Sequence, residues 1–205
     1  MNESNFNDLL EQEFKWPMIG DKLFSKSLSA SGAILHQFSN ERLYHMTIGY
    51  KLAADTLIEH TYTEAWKTQK LVYPIIFCYR HFLELTLKSM LEEYSSASVV
   101  TSNWSHHKLE DLWKAFRGIL KEVGAEDPKE HSIDAVEQCI AEFSKIDPVS
   151  ETFRYPTNRR GSPLHISLEI IDLIQLRSTM EAIDNFFSVS RSLLDDFKSA
   201  KSYYE

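Results

Sequence analysis

The stretch YPIIFCYRHFLELTLKSMLEEY, Tyr73 to Tyr94, constrains this chain more than any other. On a helix turning ~100° per residue, Ile76, Leu83, Leu87, Met90 and Leu91 fall on one arc. Arg80 and Glu84 land inside the same arc, between Leu87 and Phe77, and Phe82 and Leu85 cover the other side. Little of such a helix can face water, so it belongs at the centre of a bundle. An unpaired charge buried there is costly, and Arg80 and Glu84, one turn apart, can answer part of each other's charge. The expectation is a polar centre inside a helical core.

The rest of the chain reads as helices packed around that one. With six glycines and six prolines in 205 residues, a loop-rich all-β fold is disfavoured. Asn40 is a candidate N-cap for a helix whose Leu43, Met46, Tyr50, Ala53 and Leu57 form one face, and a break is expected near Thr61 to Lys70. After a polar loop, Ser95 to Ser105, Asn103 or Ser105 can cap HHKLEDLWKAFRGILKEVG. There Leu109, Leu112, Trp113, Phe116, Ile119 and Leu120 form a stripe and Gly124 is a stop. Pro128 opens a fourth helix, with Ile133, Val136, Ile140 and Phe143 on one face, closed by Asp147-Pro148. Turn residues dominate SETFRYPTNRRGSPLHISLE, where Phe153 to Tyr155 and Leu164 to Ile166 can pair across the RRGSP turn. In the last segment Leu173, Leu176, Met180, Ile183, Phe187, Ser190, Leu194 and Phe197 step by three and four, either as a bundle-core stripe or in part as a homodimer face. The expected fold is all-α: an up-and-down bundle of four to five helices, with a long C-terminal helix and a small irregular or hairpin insertion near 152–166. Residues 40–205 form a single bundle domain. Residues 1–39 form an N-terminal extension, with a short helix ending near Trp16-Pro17 and a Ser-rich connector.

Composition narrows the function classes. A net charge of −8 works against broad nonspecific nucleic-acid binding and leaves room only for a local basic patch. Cys78 and Cys139 make no metal or redox motif. No HExxH, P-loop, dinucleotide glycine fingerprint or nucleophile elbow stands in the chain, so no metal or cofactor is expected. The N-terminus lacks a basic region followed by an apolar run, and no stretch approaches ~20 uninterrupted apolar residues; a cytoplasmic protein with no membrane partner is expected.

Three pieces in order carry a family resemblance: YRHFLELTLKSML, then His107-Lys108-Leu109-Glu110-Asp111-Leu112-Trp113, then Phe153-Arg154-Tyr155-Pro156 before the final helix. Together, over roughly Leu71 to Phe197, the chain resembles the HEPN superfamily of small α-helical bundles (higher eukaryotes and prokaryotes nucleotide-binding), most of all its bacterial members. The resemblance implies a four- or five-helix bundle that commonly dimerises. It also implies metal-independent RNA cleavage of toxin–antitoxin or phage-defence type, although some members are non-catalytic. Catalytic members carry an Arg followed after four to six residues by a His. Arg160 and His165 have that spacing, as do Arg159 and His165, but Gly161 and Pro163 make the segment a turn. Arg80 has no histidine at that distance downstream.

The candidate catalytic residues are therefore His165, Arg160 and His107. Arg80, Arg154 and Arg159 are candidates to hold an anion or RNA, with Glu84 and Asp111 in support. Arg80, His81, Glu84 and Lys88 share one region of the central helix, either as a packing ion pair or as a phosphate clamp for which guanidinium is suited. Asp111, one turn after His107, can fix that imidazole in one tautomer. The expected partners are RNA, a second copy of the chain, or a protein partner such as an antitoxin. A non-catalytic helical module that binds a protein or a small anion is the alternative.

Overall fold

The computed structural model describes residues 16–27, 29–62, 65–94, 107–125 and 131–204. The helix expected before Trp16, the Asn103 and Ser105 caps, His106 and the Pro128 helix start lie outside the described residues. The chain divides into two compact units, Met1–His36 and Gln37–Glu205. In the first, a turn at Met18–Asp21 is closed by Asp21 N–H donating to the Met18 carbonyl at 3.0 Å and Met18 N–H donating to Asp21 Oδ2 at 2.8 Å.

The second unit is all-α. Its five described helices are α1 (Ser39–Thr61), α2 (Ala65–Tyr94), α3 (Leu109–Glu122), α4 (Ser132–Ile146) and α5 (Leu173–Tyr204). As its sequence demands, α2 is the central helix: no residue from Ile75 to Leu91 is exposed. α1 packs along α2, α3 packs on α2 and on α4, and α5 reaches both α1 and α2. Side-chain links set the directions. Glu59 and Lys51 of α1 meet Arg177 and Asp184 of α5, so these two helices run antiparallel. Tyr94 at the end of α2 donates to Asp195 near the end of α5, so those two run parallel. A half-buried polar seam joins the three: Tyr79 donates to Asp55, which also receives Lys51 and lies 3.8 Å from Arg177.

The α3 stripe is buried as read, and Gly124, at φ +71°, ends that helix in the left-handed conformation that favours glycine. Seven of the eight α5 seam positions turn into the bundle, Leu176 only partly, and Phe197 leaves it at 47% exposure. The core-stripe reading thus accounts for the seam as far as Leu194.

Four local expectations are corrected. The buried positions of α1 are Thr47, Ala54, Ile58 and Thr61, beside the expected Leu43–Met46–Tyr50–Ala53–Leu57 face, of which Tyr50 and Leu57 pack partly buried against the core and Met46 is exposed. α1 carries apolar residues on nearly every side, so periodicity alone could not choose the face. The helix starts at Ser39 with Phe38 at the cap position and no side-chain cap, so Asn40 lies inside it. α2 begins at Ala65, within the expected break, and runs on through Pro74. Tyr73 and Pro74 are exposed, so the ring faces solvent, and burial from Ile75 onward holds the helix despite the lost backbone bond. The insertion is a small hairpin, but its pairing is displaced from the expected 153–155 and 164–166 segments. Thr157 bridges Pro163, Asn158 N–H donates to Ser162 O at 2.8 Å, and Leu164 N–H donates to Pro156 O at 3.0 Å.

Candidate functional site

Arg80 is the anchor of the site. It is wholly buried, and each of its three side-chain nitrogens donates within the chain. Nη1 reaches Glu84 Oε2 at 3.0 Å, Nη2 the His107 carbonyl at 2.7 Å and Nε the Asp147 carbonyl at 3.2 Å. One guanidinium thereby ties the middle of α2 to His107, two residues before α3, and to the C-cap of α4. Asp147 is also fully buried; its Oδ1 accepts the Glu151 and Thr152 amides at 2.8 and 3.1 Å. Its Oδ2 lies 3.3 Å from Arg80 Nε without making a directed hydrogen bond, so that contact is electrostatic.

Glu84, one turn on, is 1% exposed and receives Lys88 Nζ at 2.8 Å on Oε1. His107 Nδ1 lies 2.8 Å from the same oxygen. Burial by itself would raise the Glu84 carboxyl; hydrogen bonds from Lys88 and then His107 outweigh it and hold the group down to about 2. The carboxylate is therefore ionised and can only accept, so Nδ1 of His107 carries the proton and donates. The His107 side chain is 58% exposed, so the far side of its ring faces solvent. The arrangement is an open imidazole in a fixed tautomer, seated on a buried and charge-compensated carboxylate, which suits acid–base chemistry.

The other candidates divide. Arg80 keeps no surface for a ligand anion. Asp111 is exposed, and the carboxylate that orients His107 is Glu84. His81 packs as an aromatic ring, edge-on to Tyr50 at 4.4 Å and stacked on Phe77 at 5.6 Å; desolvation lowers its pKa, which keeps it neutral. Arg154 lies over both Phe77 and Tyr155, at 5.5 and 5.4 Å, and donates from Nε to the Ser150 carbonyl. Arg159 is 92% exposed and stands 3.6 Å from Glu151. Arg160 and His165 are exposed on the hairpin, and no hydrogen bond or ion pair among the described residues joins them to each other or to Glu84 and His107. Asp147 was visible in the sequence only as a helix stop; a buried arginine without enough nearby carboxylate was the signal that a second acid was needed.

No family model, curated protein or solved structure matches the chain.

Proposed function

We propose that this chain is a HEPN-like protein that cleaves RNA without a metal ion, with His107 as its acid/base. The observation that supports this reading is the open His107 imidazole on the buried Glu84 carboxylate. In such cleavage the ribose 2′-hydroxyl attacks the adjacent phosphorus and gives its proton to Nε2 of His107. The bond to the departing 5′-oxygen breaks, that oxygen takes a proton, and a 2′,3′-cyclic phosphate remains. The toxin or phage-defence setting rests on the family resemblance.

Incubating labelled total RNA with the purified protein in EDTA tests this. Wild type should cleave, His107→Ala should be slower by about 10²–10⁴-fold, and a DNA strand of the same sequence should resist. His165→Ala should retain cleavage; loss on that change alone would move the acid/base to the hairpin. No cleavage by the folded wild type would sink the reading.

A second reading is a non-catalytic helical module. It is supported by the internal use of every Arg80 nitrogen and by the apolar stripe Tyr44, Ile48 and Leu52 on α1, which are 64%, 48% and 62% exposed. A second copy of the chain is the occupant proposed for that stripe, because a two-fold interface needs one self-complementary patch on each partner. Sedimentation at increasing concentration should show a dimer, weakened at least about tenfold by Ile48→Asp, since a charge placed in an apolar interface is left unpaired. A monomer at every concentration would rule the dimer out.

A further inference from the structure

The FRYP turn carries a feature that acid–base chemistry at His107 does not use. Two clefts flank it. One, of about 410 Å³, is bordered by Arg154, Asn158, Arg159 and Glu151. The other, of about 400 Å³, is bordered by Tyr73, Phe153, Leu164 and Ile166. Arg154, Tyr155 and Pro156 belong to both, so a single turn forms the wall between them.

The wall is held rigidly. Asp147 Oδ1 accepts two amides at its start, Arg154 and Tyr155 donate their N–H groups to the Glu151 carbonyl, and Leu164 N–H closes on Pro156. Arg154 is fixed in place by the Ser150 carbonyl and by the Phe77 and Tyr155 rings, yet its terminal nitrogens meet no acceptor among the described residues. Arg159 stands beside it, 92% exposed. Tyr155 and Tyr73 expose 55% and 48% of their surfaces, one in the wall and one across the second cleft. Among the described residues Glu151 is the only acid bordering either cleft, in a chain whose net charge is −8. The terminal nitrogens of Arg154, the solvent-exposed Arg159 in its open ion pair with Glu151, and the exposed tyrosine rings are groups that can take phosphate and stack bases, as an unpaired nucleic-acid strand requires.

We infer that the FRYP turn is a docking platform for single-stranded RNA, with Arg154 and Arg159 holding backbone phosphate and Tyr155 and Tyr73 stacking successive bases. The inference rests on the reading of the chain as RNA-directed and adds the surface and the strandedness of the substrate. A duplex is excluded because its bases are already stacked on one another.

Fluorescence anisotropy with a 5′-fluorescein 2′-O-methyl-A10 strand tests it, since that probe lacks the nucleophile and cannot be cleaved. Tyr155→Ala and Tyr73→Ala should each weaken binding by roughly tenfold. Arg159→Ala should weaken it and flatten its salt dependence. Val189→Ala, at an exposed position on α5, should bind as wild type, and melting temperatures should show all four variants folded. Wild-type affinity in both tyrosine variants overturns the platform. So does displacement of the probe by AMP, or by duplex RNA, at the concentration at which unlabelled strand displaces it. Tight, platform-dependent binding without cleavage of total RNA would retain the platform and sink the catalytic reading. Cleavage that needs His107 but is untouched by the platform variants would sink the platform alone.

Discussion

Replacing Arg80 by alanine is expected to cost the bundle about 3–5 kcal/mol, the range for breaking a buried ion pair from one side. Arg80→Ala takes from the fully buried Asp147 the one cation that it meets among the described residues, and leaves Glu84 with Lys88 and His107. It also orphans the His107 and Asp147 carbonyls and opens a void where the largest fully buried side chain stood. For a chain of this length the loss should lower the melting temperature by roughly 6–20 °C. Arg80→Met, which fills the void but leaves the carboxylates uncompensated, should recover only part of it. A melting temperature unchanged in Arg80→Ala would show that the guanidinium is not the tie between α2, α3 and α4. RNA cleavage should fall along with stability, because Arg80 positions the His107 backbone.

Glu84 should give the protein an acid-labile core. Its carboxyl is held at about 2, against 4.5 for the free side chain. A carboxylate depressed in the folded state stabilises the fold fully above its unfolded value, and loses that contribution as pH falls toward the folded one. The loss therefore runs from about pH 4.5 down to about pH 2 and amounts to about 3 kcal/mol. Urea unfolding at pH 6, 4 and 3 should show it, with stability falling over that range. Glu84→Gln should be destabilised at pH 6, because the buried Lys88 and Arg80 each lose a carboxylate partner, and should lose less further stability on acidification than wild type does. Equal acid dependence in the two proteins would place the titrating group elsewhere. The same change should slow RNA cleavage even where the protein remains folded, because a neutral amide no longer dictates which His107 nitrogen carries the proton.

Much of the bundle could be read in one dimension because helix faces repeat every three or four residues. The buried α2, the α3 stripe, the Gly124 stop and the Arg80–Glu84 pair are all set by neighbours within a turn, and the structure places them as their spacing implies. α1 was less legible: Tyr44, Ile48 and Leu52 are as apolar as the residues that pack, and only its position against α2 and α5 separates the two sets.

The site depended on distance along the chain. Arg80 meets His107 and Asp147 across 27 and 67 residues, and no local period encodes such pairings. Asp111, the near choice for His107, is turned to solvent by α3, while His107, two residues before that helix, is drawn onto α2 and finds Glu84. Composition and periodicity made a central helix with a charged pair unavoidable, because burying so much apolar surface is the dominant gain in folding. Which carboxylate met which cation, and which imidazole was left open to water, was decided when the start of α3 and the end of α4 converged on Arg80 in the middle of α2, since only there could each buried charge find its counter-charge.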